Sequence, residues 1–318
     1  MDVSKLDFDL YQNTKPVIVL EKIYDDYLIG EHQSYDYRDY SYFHPSDMGV
    51  CIRKAYLEKI GHEGEYYTNG RVERTFVNGH STHARYQEHF SRMGIIYGYW
   101  KCLNCLEILG THEKIGIVKP STCSYCNSPR MSRPIVDNKS NIIRGPEPLF
   151  EYKEIAVQDD ELNLRGHVDC VIKLKDHFFV VDFKTASDFA FNKVKEDRVP
   201  TASYVFQINI YMYILGIPQG FILYEDSNSK KIKEFFVKQD DAIIEEVKKR
   251  LNLAAIAEKT GSIPPIPDTL IPTKTQPCSF YCKGFPGFPP CQFLSMCHPN
   301  EHAKLKNNGV LAGFARVK

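Results

Sequence analysis

The sequence predicts an α/β fold in which a central mixed sheet is flanked by helices and carries a small cysteine-stapled insertion. Three observations predict it. Helical periodicity dominates up to about residue 93, and alternating or continuously apolar strand patterns take over from about Phe150. Between them lie four cysteines in loop-like sequence. A strand meander followed by helix, strands and helix is the order expected of an α/β core with a mixed sheet. Composition permits such a core: the chain has 318 residues, 43% hydrophobic and 25% charged, ordinary values for a folded protein.

Residues 1–44 are tyrosine-rich and acidic, with no clear period. Ser46 or Asp47 can cap a helix that runs to about Ile60 and stops at Gly61. Cys51 falls in its first turns, beside Arg53 and Lys54. A second helix spans residues 70–93, where Phe76, His80, His83, Gln87 and Phe90 recur at spacings of four, three, four and three. That spacing is one helical face, and it carries two histidines. Residues 150–157 form a strand. Residues 162–174 form another, with Leu162, Leu164, Val168, Ile172 and Leu174 on one face. Residues 177–184 (HFFVVDFK) form a third, too apolar for an edge and therefore central. After a polar loop ending at Pro200, residues 201–215 read as a helix bearing Tyr204, Ile208, Tyr211, Met212 and Leu215. Strands near 219–225 and 231–238 and a helix near 239–258 follow. The expected organisation is an N-terminal helical region (1–98), an insertion (99–134), the core (135–260) and a cysteine-rich segment (261–318).

Net charge is zero, which weighs against binding nucleic acid by bulk charge alone but leaves room for a local basic groove. No run of about 18 apolar residues occurs, so no membrane span is expected. The N-terminus lacks a basic segment followed by an apolar one, so no secretory signal is expected. The expected location is cytoplasmic, where clustered cysteines read as metal ligands rather than disulfides.

Gly166-His167-Val168-Asp169 closes one strand region, and the next strand holds Asp182-Phe183-Lys184. Side chains two apart on a strand share a face, so Asp182 and Lys184 project together while Phe183 turns to the core. A hairpin would bring Asp169 alongside them. Two neighbouring carboxylates repel unless a cation lies between them, and oxygen ligands suit Mg2+ or Mn2+. Such an ion can lower the pKa of a bound water and polarise a phosphoryl oxygen, with the lysine offsetting developing negative charge. An isolated Asp-x-Lys is an ordinary solvent-facing pair; its place at the end of a strongly apolar strand, with an aspartate at hairpin distance, points to function. Glu154 reads as a solvated strand glutamate, with an accessory acid as the alternative.

GHVD, VVDFKT and then Gln207-x-x-x-Tyr211 resemble the PD-(D/E)xK nuclease superfamily in its RecB-like branch. The resemblance implies a restriction-endonuclease-like core with Asp169, Asp182 and Lys184 catalytic and Gln207 and Tyr211 beside them. It also implies a helical histidine joining the metal, matched by His83 in Gly79-x-x-x-His83, with His80 a weaker candidate.

Cys102-x2-Cys105 and Cys123-x2-Cys126 are separated by seventeen residues, the two-knuckle pattern of a zinc ribbon. Four thiolates would close a structural Zn2+ site, with iron the alternative metal. Cys170 reads as packing. Cys278, Cys282, Cys291 and Cys297 crowd near the C-terminus, where a second local metal site is one reading. The resemblance implies another. A subset of RecB-like nucleases, including the AddB nuclease and the iron–sulfur exonucleases of CRISPR adaptation, ligates a [4Fe–4S] cluster with one early cysteine and three late ones. Here those would be Cys51, Cys282, Cys291 and Cys297, with Cys278 the alternative to Cys282. The spacing before Cys291 departs from the family's.

The expectation is a metal-dependent exonuclease acting on DNA, single-stranded or with free ends, in recombination, repair or phage or CRISPR-related processing, with protein partners from those systems. The rivals are a non-catalytic DNA-binding or assembly factor that keeps the nuclease fold, and an adaptor built on the zinc ribbon.

Overall fold

A computed structural model describes residues 19–34, 39–127, 130–140, 142–194, 201–267, 282, 284 and 288–317. Its elements are, in chain order, α1 (Val19–Ser34), α2 (Pro45–Met48), α3 (Ile52–Lys59), β1 (Tyr66–Thr68) and α4 (Gly70–Arg92). Then come β2 (Ile96–Cys102) and the short strands β3 (Ile108–Leu109), β4 (Ile117–Val118), β5 (Ile135–Val136) and β6 (Ile142–Arg144). The core continues with β7 (Phe150–Lys153), β8 (Ile155–Asp159), β9 (Leu164–Val168), β10 (Cys170–Leu174) and β11 (His177–Ala186). It closes with α5 (Asp188–Lys193), α6 (Ala202–Leu215), β12 (Gln219–Asp226), β13 (Ile232–Lys238) and α7 (Asp241–Thr260). Short helices Leu294–Cys297 and Pro299–Asn307 precede β14 (Ala315–Val317).

The chain divides into two units. One comprises Met1–Ser41, Tyr56–Asn78 and Ile263–Lys318. There β1 pairs antiparallel with β14, Arg74 pairs with Asp25, and Gln292 Nε2 donates to Glu58 Oε1 at 2.9 Å.

The other unit, Tyr42–Ala55 with Gly79–Ser262, holds an eight-stranded sheet of order β13-β12-β11-β10-β2-β3, to which β4 and β7 add through β2. β11 and β12 run parallel, and the other ladders are antiparallel, so the sheet is mixed as the sequence predicts. β11 lies inside it because both of its faces are covered. Val180 and Ala186 pack with Ile208, Tyr211 and Met212 of α6, while Val181 and Phe183 pack with Tyr86 and Phe90 of α4. A strand buried on both faces needs apolar residues at consecutive positions, which is what HFFVVDFK supplies. Among the described residues, no helix is long and apolar enough to cross a membrane.

Five expectations change. The helix expected from Ser46 to Ile60 is two helices, broken at Gly49. A side chain at Gly49 would meet the Ser203 backbone at 2.4 Å, so the close approach of α6 sets the break. The strand expected at 150–157 splits at Glu154, and that at 162–174 splits at Asp169, because the chain changes ladder at both points. β7 pairs with β2 in the large sheet, whereas β8 pairs with β9 alone. Residues 99–102, read as the start of a loop-like insertion, belong to β2. Leu174, expected on the buried face, is 40% exposed at the strand end.

Candidate active site and cysteine site

Two hairpins meet at Asp169. In β10–β11, Cys170 faces Val181, so the next position sets Asp169 against Asp182. In β8–β9, Ile155 faces Val168, so the same extension sets Glu154 against Asp169. Three carboxylates thus converge where the chain passes between ladders. Gly166 of the GHVD segment has its own reason: a Cβ there would come within 3.0 Å of Pro45 and 3.3 Å of the Tyr211 ring. The missing side chain lets β9 pass under α6.

Asp182 and Lys184 share a face as expected, and Lys184 Nζ donates to Asp182 Oδ1 at 2.9 Å. It also donates to Gln207 Oε1 at 3.1 Å, and Gln207 Nε2 donates to the Tyr211 hydroxyl at 3.3 Å. The one-turn spacing of Gln207 and Tyr211 therefore builds a relay that fixes the lysine. The Phe183 amide donates to Asp169 Oδ2 at 2.7 Å. Asp182 is 1% exposed. Lys184 Nζ also stands 2.9 Å from Asp182 Oδ2, yet its hydrogen bond goes to Oδ1, and Oδ2 accepts none among the described residues.

α4 closes the site. His83 Nδ1 lies 3.6 Å from Asp169 Oδ2. One ligand atom from each of His83, Glu154 and Asp169 falls within 4.8 Å of the others. Gln87, one turn further on the same face, donates from Nε2 to the Asp169 carbonyl at 2.9 Å and to Glu154 Oε1 at 3.2 Å. His80 is exposed and outside this group. The solvated reading of Glu154 is overturned, because the strand break turns it inward. Gln87 stood on the helical face with no role assigned to it. The signal for both was the β8–β9 register, which a sequence read as two unbroken strands does not show.

Burial drives the electrostatics. It raises the Glu154 carboxyl to about 7, with repulsion from Asp169 adding and the Gln87 hydrogen bond opposing. It raises Asp182 to about 6 even though Lys184 pulls the other way, and it raises Asp169 in the same sense. Burial and then Lys184 lower His83 to about 4, leaving a neutral imidazole at neutral pH. Burial also lowers the Lys184 ammonium, but Asp182 and Asp169 outweigh it, and the lysine stays above its ordinary value. Burial pushes the Tyr211 hydroxyl far up. Crowded carboxylates with one unsatisfied oxygen, beside a neutral imidazole, form a hard donor set that could hold a divalent cation.

The second site is made of sulfur. Cys102 Sγ and Cys126 Sγ are 3.9 Å apart, and Cys105 Sγ and Cys123 Sγ are 3.6 Å apart. All four sulfurs lie within 4.8 Å of one another. Ligands ~2.3 Å from a tetrahedral centre are ~3.8 Å apart, so the four could hold a single metal ion. Asn104 donates to two of the sulfurs, from its backbone to Cys102 at 3.4 Å and from its side chain to Cys126 at 3.5 Å. Cys102 is the last residue of β2 and packs in the core with Trp100 and Cys123. The knuckles therefore grow out of the main sheet. Cys170 is buried in the same cluster, as packing.

Of the other cysteines, Cys51 belongs to the unit with the acidic site, while Cys282, Cys291 and Cys297 belong to the other. The Cys291 amide donates to the Cys282 carbonyl at 2.8 Å, and Cys297 ends the helix Leu294–Cys297. All four are thiols rather than disulfide halves. Cys278 lies outside the described residues.

No protein-family model matches the chain, and no curated protein matches it. Among solved structures, the crystal structure of SSO0001 aligns over 88% of this chain and 96% of its own, at 11% identity and a TM-score of 0.43. The structure of LHK-Exo in complex with dAMP aligns over 76% of this chain and 93% of its own, at 10% identity and a TM-score of 0.38. Likenesses of this strength add nothing to the strand order and side-chain geometry already described.

Proposed function

We propose that this chain is a divalent-cation-dependent DNA nuclease with a restriction-endonuclease-like core. The observation that carries the reading is the meeting of Asp169, Asp182 and Lys184 at one hairpin, with a buried Asp182 oxygen left unsatisfied. Three crowded acids repel one another, and a hard cation would relieve that repulsion. Asp169 and Asp182 would hold Mg2+ or Mn2+, with the neutral nitrogen of His83 and with Glu154 beside them. When bound, such an ion supplies Lewis acidity toward a phosphate and a more acidic water.

The remaining work belongs to the protein. The Lys184 ammonium, fixed by Asp182 and Gln207, stands ready to stabilise the extra negative charge of the phosphate at the transition state. Gln207 and Tyr211 hold the lysine so that no reorganisation is needed as that charge appears. The preference for single-stranded DNA and for ends, and a place in recombination, repair or phage or CRISPR-related processing, rest on the sequence resemblance alone.

Zn2+ is the metal proposed for Cys102, Cys105, Cys123 and Cys126, where four ligands leave no position open for substrate. For Cys51, Cys282, Cys291 and Cys297 we propose a [4Fe–4S] cluster on the same resemblance; four thiols are the right donor chemistry.

The test is end-labelled single-stranded DNA with Mn2+, using anaerobically purified protein beside Asp182→Ala. The wild type is expected to shorten the DNA and the variant to leave it intact. A wild type that cuts nothing sinks the enzyme, and equal cutting by both sinks the site. The anaerobic protein should be brown and contain iron; full activity in colourless, iron-free protein would retire the cluster.

A further inference from the structure

Glu225 is a buried carboxylate that the proposed chemistry does not use. It lies in β12 opposite Thr185 of β11, is 2% exposed, and faces α4. Its Oε2 accepts from the Tyr86 hydroxyl at 2.5 Å and from Arg85 Nη2. Lys230 Nζ approaches Oε1 at 3.7 Å. A carboxylate this deep in a sheet is costly to keep ionised, and here donors from α4 and from the β12–β13 turn hold it.

Those bonds set the position of α4. The Tyr86 ring stacks on Phe183, with centroids 5.1 Å apart and planes at 15°. His83, three residues earlier on the same face, rests on that ring edge-on at 5.5 Å and 61°. Phe183 in turn lies between Asp182 and Lys184, and its amide holds Asp169. Aromatic packing fixes the distance between helix and sheet but tolerates sliding and rotation. A short hydrogen bond to a buried charge does not, because it is directional and strong. Together with the Arg85 bond to the same oxygen and the Gln87 bonds to Asp169 and Glu154, the Tyr86–Glu225 bond limits how far α4 can turn about its axis beside Asp169.

We propose that Tyr86 and Glu225 are positioning residues for His83, acting on the bound cation only through that histidine; this rests on the cation site proposed above. Tyr86→Phe keeps the stacked ring and removes only the hydroxyl. Glu225→Leu removes the acceptor and serves as a second, bolder variant. Mn2+ affinity is measured by titration on the full-length chain for wild type, Asp182→Asn, His83→Ala, Tyr86→Phe and the double variant His83→Ala/Tyr86→Phe. Thermal melts confirm that each is folded.

Tyr86→Phe is expected to weaken Mn2+ about tenfold, the usual effect of losing a support behind a metal ligand, and to cause no further loss in the His83→Ala background. The spin-echo modulation from a coordinated imidazole nitrogen should be present in wild type, absent in His83→Ala and weakened in Tyr86→Phe. Unchanged affinity in Tyr86→Phe, or an equal loss with and without His83, overturns the positioning role while leaving the cation site standing. A wild type that binds Mn2+ no better than Asp182→Asn overturns both.

Discussion

Two side-chain clusters among the described residues could hold metal ions, and they are built in opposite ways. The cysteine site comes from two short knuckles, and its four sulfurs lie within 4.8 Å of one another. The acidic site brings together His83 from α4, Glu154 from the break before β8 and Asp169 from the break before β10, with Asp182 of β11 opposite Asp169. The first is soft and closed. The second is hard, strained by like charge, and has a buried oxygen still to be satisfied. Closure suits a staple, and open valence suits chemistry.

Substitutions at the acidic site should show the largest effect. Lys184→Ala is expected to slow DNA cleavage by about 10²–10³, and Asp182→Ala by at least as much, in single-turnover assays with saturating Mn2+. Activity within tenfold of wild type for both would assign the chemistry elsewhere.

The cysteine site should answer in stability. Cys123→Ser is expected to cost on the order of 3 kcal/mol, a fall in melting temperature of about 5–10 °C. EDTA should stop cleavage reversibly while zinc, counted by metal analysis, stays with the protein. If EDTA removes zinc and leaves cleavage intact, the contrast between the sites is reversed.

The sites should also differ in pH response. In metal-free protein, Glu154 and Asp182 titrate above their unfolded values, so the native state holds more protons than the unfolded one. The contribution of these two acids should therefore be greatest near ~4, the unfolded carboxylate range, and be lost as pH rises toward about 7, while His83, held down at about 4, contributes in the opposite sense over the same window. Asp182→Asn should flatten that slope, as should Mn2+ at neutral pH. Denaturant melts of wild type and Asp182→Asn at several pH values check it, and a difference between the two that does not change with pH would mean the acids are not crowded.

The smallest effect sharpens the role of Glu154. Glu154→Gln keeps the contact to Gln87 but removes a charge, and should weaken Mn2+ about tenfold in the same titration. Unchanged binding would make Glu154 a spectator.

Much of this was readable in the chain. The period of two in a strand put Asp182 and Lys184 on one face and sent Phe183 to the core. The one-turn spacing of Gln207 and Tyr211 put both on one face beside the site, but that they bond each other and that Gln207 bonds Lys184 came from the structure. Glu154 was misread because FEYKEIAV looks like one unbroken strand. Nothing local marks the point where it leaves one ladder for another. The helical period placed Gln87 on the face of His83, but its role depends on what lies opposite.

The sequence by itself determined the two donor inventories, soft sulfur in paired knuckles and hard oxygen beside a lysine, because ligand chemistry and short-range periodicity are local properties. Only the tertiary structure decided that Glu154 joins Asp169 and Asp182, that Tyr86 stacks over Phe183, and that Glu225 accepts the Tyr86 hydroxyl. Those outcomes follow from ladder register and helix packing between residues as far apart as Tyr86 and Glu225, and no local spacing encodes such pairings.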